Sequence, residues 1–169
     1  MSAVGPVSPV GTVHTAVLPV RWSDQDLNRH VNNARVVTLL EEARLSAMAA
    51  WLGQDGVPDP ARPRVVVSLA LDYLRSIDHG PELTARVRVA RVGRSSCTVA
   101  YELVQHEQVA VRARTVLVQT DPATGRSTPL PDRVRAALAG VVVPEPEPEP
   151  ETEPETEPET EPGSVTVRA

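Results

Sequence analysis

The chain has 169 residues, 41% of them hydrophobic, with one cysteine and a formal net charge of −5. That length sustains one self-supporting core, while a lone Cys97 excludes an intramolecular disulfide and argues against a cysteine-built zinc cluster. The charge is unevenly held: nine glutamates alternate with proline and threonine over 145–161, and without residues 144–169 sixteen arginines face thirteen acids, a body of +3. Lysine and phenylalanine are absent, which reads as the codon bias of a GC-rich genome.

Residues 1–20 lack the basic start and long apolar run of a secretory leader, and no stretch approaches the roughly 20 apolar residues of a membrane span. A cytoplasmic protein is therefore expected, with a flexible segment over 1–12, one domain over 13–140 and a disordered acidic tail over 141–169. The valine-rich stretch 12–21 predicts a first strand. Asn32 and Asn33 then precede Val36, Leu40, Ala43, Ala47 and Trp51, whose three- and four-residue steps make one apolar stripe. Asparagine caps a helix start well and Gly53 is a natural stop, so one helix of about 20 residues is expected. After the loop 54–63, residues 64–75 make a second strand.

The periodicity then becomes two. Leu83, Ala85, Val87 and Val89 alternate with Thr84, Arg86 and Arg88, and Cys97, Val99, Tyr101 and Leu103 alternate with Thr98, Ala100 and Glu102. Val109, Val111 and Ala113 continue the pattern against Arg112 and Arg114. Turns at 78–81, 93–95 and 106–108 are short enough for antiparallel neighbours, and a short helix is expected over 131–139. The result is an α+β domain in which an antiparallel sheet curls around one long helix.

Between first strand and helix, Arg21-Trp22-Ser23-Asp24-Gln25-Asp26-Leu27-Asn28-Arg29-His30-Val31-Asn32-Asn33 gathers two carboxylates, a histidine and three asparagines around a helix start. Unpaired amides and the helix dipole make that start electropositive, suited to an oxyanion. A carboxylate beside it, Asp26, is a candidate base or nucleophile, and His30 is placed to orient a carbonyl or water. The alternative is that such segments serve only as turns and caps. No GxSxG elbow supports a serine hydrolase, and Cys97, flanked by apolar positions in a strand, reads as core.

The run from Ser23 to Asn33, followed by Leu40-Glu41-Glu42-Ala43-Arg44, resembles the signature of the 4-hydroxybenzoyl-CoA thioesterase branch of the hotdog superfamily. Asp26, Asn28 and His30 also resemble the Asp-x-Asn-x-His core of acyl-carrier-protein thioesterases, and the similarity runs through Leu71-Asp72-Tyr73-Leu74-Arg75. The resemblance implies a hotdog fold and hydrolysis of an acyl or aryl thioester of coenzyme A or a carrier protein, without metal or cofactor. It assigns catalysis to Asp26, Asn28 and His30 and substrate binding to Asn32, Asn33 and Ala34, with amides near Asn33 and Ala34 polarising the thioester. It also implies a homodimer or homotetramer with sites between subunits. Two departures stand out: Arg29 replaces a glycine common before the histidine, and Ser76 stands where the carrier-protein enzymes place a second acid. Glu41 and Glu42 are the helix carboxylates that could substitute, or are simply exposed.

Arg86, Arg88, Arg112 and Arg114 share one side of neighbouring strands. Arg86 and Arg88 are candidate ligands for coenzyme A phosphates, or part of a solvated or subunit-facing surface. With only Trp22, Trp51, Tyr73 and Tyr101 as aromatics, a nucleic-acid partner is not expected. Two rival functions are an acyl-CoA-binding module without activity and a hotdog hydratase or dehydratase. The tail reads as a solubilising appendage or as a competitor for the arginine face.

Overall fold

The computed structural model describes residues 12–143; the rest of the expected flexible N-terminus, and the acidic tail from 144 onward, lie outside the described residues. In chain order come β1 (His14–Leu18), α1 (Asn33–Leu52), β2 (Arg64–Tyr73), β3 (Leu83–Val92), β4 (Ser96–Gln105), β5 (Gln108–Gln119) and α2 (Asp132–Gly140), with 3-10 turns at Trp22–Asp24 and Gly53–Gly56. All five strands pair antiparallel in the order β1-β3-β4-β5-β2. This is the α+β hotdog arrangement: one sheet with the long helix on its inner face.

The inner face is built from alternation. Leu83, Ala85, Val87 and Val89 of β3 are buried, as are Cys97, Val99, Tyr101 and Leu103 of β4 and Val111, Ala113 and Leu117 of β5. Against them α1 lays Val36, Leu39, Leu40, Ala43, Ala47 and Met48. Each Val, Leu or Met side chain buried in this way contributes about 1.5–3 kcal/mol. Trp51 closes the expected stripe, packed against this core. It is only partly buried, because the helix end overhangs β1, where the indole meets the His14 ring edge-on at 6.2 Å.

Both ends of α1 follow from local chemistry. The Ala34 amide donates to Asn32 Oδ1 at 2.9 Å, a side-chain N-cap. Gly53 closes the helix at φ +56° with its amide on the Ala49 carbonyl, where a side chain would be strained. The β4–β5 hairpin turns through His106 and Glu107 at φ 52° and 60°, the paired left-handed conformation that matches strand twist.

Strand β2 behaves differently from the others. It pairs only with β5, and Val65, Val66, Val67 and Leu69 on it are all exposed. At the far side of the sheet, β1 ends opposite Val87. Beyond that point the chain following α2 takes over: Val142 bridges Val89 in parallel and the Val143 amide donates to the Val89 carbonyl at 2.9 Å. Among the described residues no helix is long and apolar enough to cross a membrane.

Gly56 packs so closely beneath α1 that an added Cβ would stand 2.1 Å from the Met48 carbonyl oxygen, whereas one at Gly140 would meet nothing within 4 Å. Gly56→Ala is therefore expected to cost about 1–3 kcal/mol by overpacking. Gly140→Ala is expected to be neutral or to stabilise by up to about 1 kcal/mol. Chemical denaturation of the two variants measures both; equal midpoints would contradict the close packing.

Candidate active site

The loop between β1 and α1 is a compact knot. The Asp26 amide donates to the His30 carbonyl at 2.9 Å and the Arg29 amide donates back to the Asp26 carbonyl at 3.0 Å, while Gln25 bridges Val31. Reversal is completed at Arg29, whose φ of 64° is left-handed. That conformation favours glycine and costs another residue roughly 1–2 kcal/mol, which gives a physical reason for the glycine common at this position among the sequences it resembles.

The Asp26 side chain is half-buried and held from one side: Oδ1 accepts the Asn28 amide at 2.7 Å and Oδ2 lies 3.4 Å from Asn28 Nδ2. Asp24 does something else. Its carboxylate accepts the Arg21 amide at 2.8 Å and approaches Arg35 at 3.9 Å, and its carbonyl accepts the Asn32 amide at 2.8 Å. It clips the loop onto the helix start, so of the two acids only Asp26 faces the cleft.

That cleft holds about 430 Å³ and is lined by Asp26, Asn28 and His30 from the loop, Asn33 and Val36 from α1, Tyr73 at the end of β2 and Leu74 to Ile77 after it. Asp26 also borders a broader hollow of about 900 Å³ with Trp22 and Leu27, both exposed. The Tyr73 hydroxyl donates to the Asn33 carbonyl at 2.9 Å, fixing the helix mouth against the end of β2. Asn33, at the first helical position, has no intrahelical acceptor for its amide. The Ala34 amide is already taken by the Asn32 cap, and of the two amides singled out from the sequence Asn33 is the one left to polarise a carbonyl.

Sequence reasoning missed Asp78. Its Oδ1 lies 3.8 Å from His30 Nε2, and the two residues bridge antiparallel. Gln105, buried at 5% exposure, accepts the Asp78 amide at 2.8 Å and donates to the Asp78 carbonyl at 3.0 Å and to that of Pro81 at 3.2 Å. An acid is thus presented to the histidine two residues after Ser76, from a segment far away in sequence. Glu41 is exposed and pairs with Arg44 at 3.0 Å, and neither Glu41 nor Glu42 lines the cleft.

The structure does not bring Arg86 and Arg88 to this place. Both project from the outer face of β3, opposite the helix-facing Val87, and neither lines the cleft. The cation that borders it is Arg75. Among the described residues no group of three or more His, Cys, Asp or Glu side chains could hold a metal ion.

The sequence pattern of the thioesterase-like superfamily matches residues 20–138. The chain belongs to that superfamily. Similar solved structures include a thioesterase from Thermus thermophilus complexed with coenzyme A and Zn (30% identity, TM-score 0.67, covering 76% of this chain and 92% of that one). The PA2801 protein of Pseudomonas aeruginosa is 35% identical at a TM-score of 0.68, covering 76% and 100%. A predicted thioesterase from Bacillus stearothermophilus is 26% identical at 0.70, covering 80% and 100%. No curated protein matches the chain.

Within this thioesterase-like domain Cys97 is not a rival nucleophile. Burial pushes its thiol up to about 11, against the opposing pull of the Arg64 and Arg44 cations. At pH 8 only roughly one molecule in a thousand would carry a thiolate, the reactive form. Folded protein is expected to resist thiol reagents at pH 8 and to react at once when unfolded. Rapid labelling of the native chain would contradict this placement.

Proposed function

We propose that this thioesterase-like chain hydrolyses an acyl or aryl thioester of coenzyme A to the free acid and thiol, with Asp26 as general base or nucleophile. The observation that carries the reading is one juxtaposition: the Asp26 carboxylate, fixed by Asn28, shares a cleft with the open first turn of α1 at Asn33. A thioester carbonyl seated there would meet the Asn33 amide and the positive helix end as its oxygen gains charge. Asp26 would take a proton from an attacking water, or attack the carbonyl itself and be released from the anhydride by water. The departing sulfur takes up a proton as it leaves. His30, with Asp78 behind it, would orient the carbonyl or the water, and Arg75 would take the phosphate-binding role expected of Arg86 and Arg88. The coenzyme A complex of the Thermus protein supports coenzyme A as carrier.

Asp26→Asn keeps the size of the side chain and an acceptor for the Asn28 amide. It is expected to lower kcat/KM for a responsive acyl-CoA by about 10²–10⁴-fold with an unchanged melting temperature. A thiol-release assay over chain lengths and aryl-CoA esters measures it. Wild-type turnover in the variant would remove Asp26 from the reaction.

The same reading includes a homodimer. The open edge of β2, with Val65, Val66, Val67 and Leu69 exposed, is a long apolar strand edge of the kind that invites pairing with another chain. Joining two such edges would bring a partner alongside Tyr73 and the cleft. Val67→Lys is expected to shift the protein to monomer in sedimentation and to reduce turnover; a wild-type chain that sediments as a monomer at micromolar concentration would overturn the dimer.

A further inference from the structure

The outer face of the sheet carries a charge pattern that the cleft does not use. Arg86 stands opposite Glu102, Glu102 opposite Arg112, and Arg112 opposite Asp72 across four adjacent strands. In the next row Arg88 and Arg114 flank Ala100, and past a bulge in β3, Arg91 stands opposite Thr98. Five arginines thus share the face with two acids. Glu102 is divided between two of them, 3.9 Å from Arg86 and 3.5 Å from Arg112. Along β4 the small residues Thr98 and Ala100 form a floor between an arginine row on β3 and another on β5. Ala100 is only 3% exposed, so what this face presents outward is the arginines themselves, in rows nearly 10 Å apart on strands two apart.

The chain itself delivers an anion to this place. Val143, the last described residue, is hydrogen-bonded to Val89, which lies between Arg88 and Arg91 in the sequence of β3. Glu145 follows two residues later and begins nine glutamates at every second position. Two residues of extended chain span roughly 6–7 Å, which covers the step from the sheet edge onto its outer face. With proline and threonine between them, the glutamates favour a polyproline II path, about 6 Å apart along its axis and turned by about a third of a turn from one to the next, so successive ones face different sides and can meet arginines of either row. Charge sign and point of departure agree.

We propose that the Glu-Pro segment 145–161 docks on the outer arginine face of its own chain, lying across the exposed arginines of β3 and β5. The contacts are exposed and individually weak, but the tether replaces a bimolecular encounter with a local concentration of about millimolar order. Docking screens the basic face from other polyanions, and salt releases it as the screening length shrinks. Neither the cleft nor the assignment of Asp26 enters the argument.

The test compares three proteins: the full chain, a chain ending at Val143, and a full chain with its nine tail glutamates changed to glutamine. Each is treated with phenylglyoxal in low salt, and modification of individual arginines is followed by peptide mass spectrometry, with circular dichroism confirming the fold. Arg86, Arg91 and Arg112 are expected to react about threefold or more slowly in the full chain than in the other two, with Arg29 in the site loop unchanged. In about 1 M salt, where screening reaches only about 3 Å, the three proteins should converge. Equal rates in low salt would overturn the proposal, as would protection that survives the glutamine changes. Protection that grows with protein concentration would place the segment on another molecule and equally overturn docking within one chain.

Discussion

Everything at the cleft depends on how the first turn of α1 is held. Four hydrogen bonds converge there from three parts of the chain: the Asn32 amide to the Asp24 carbonyl, the Ala34 amide to the Asn32 side chain, the Tyr73 hydroxyl to the Asn33 carbonyl, and the Val31 amide to the Ile77 carbonyl. A helix start is useful to an oxyanion only if its open amide stays aimed at one point. Apolar burial of Val36, Leu39 and Leu40 fixes the body of the helix, but a hydrophobic stripe is non-directional and leaves the aim loose. The directional bonds remove that freedom. Asp24 works on the mouth of the helix, which leaves Asp26 to face outward with its lone pairs only partly engaged.

Much of this was legible from residue order alone. The helix bounds came from an asparagine cap and a glycine stop, and the inner faces of β3 and β4 from strict alternation, because those signals are local. Asp26 and His30 stood out for the same reason, lying close together in one loop. Trp51 falls on the stripe that helical spacing predicts, but spacing does not say how deeply the end of the helix is covered. Strand β2 gave no alternating pattern, and within one copy of the chain most of it is exposed, with Leu71 packed against the core. Asp78 could not be foreseen beside His30: their approach depends on the path of the chain after β2, and no spacing rule links positions so far apart.

The arginines illustrate a different limit. Period two correctly put Arg86, Arg88, Arg112 and Arg114 on one side of the sheet, and register confirms it. Period two does not say which side carries the helix. Since the apolar partners of those arginines face α1, the arginines themselves face away from it; of the two readings the sequence left open, coenzyme A ligands or a solvated or subunit-facing surface, Arg86 and Arg88 do not line this cleft. Superfamily membership over residues 20–138 describes the domain and is silent on that surface.

Gln105 gives the cleft wall an unusual character. A carboxamide at 5% exposure cannot be left without partners in an apolar interior except at a cost of about 1–3 kcal/mol for each stranded group. Its partners are the backbone of Asp78 and Pro81, in a stretch that would otherwise be an ordinary surface connection. To peel away, that connection would have to strand an amide inside the β4–β5 hairpin. The far bank of the cleft therefore inherits the rigidity of the sheet's centre and should melt with the whole molecule rather than before it.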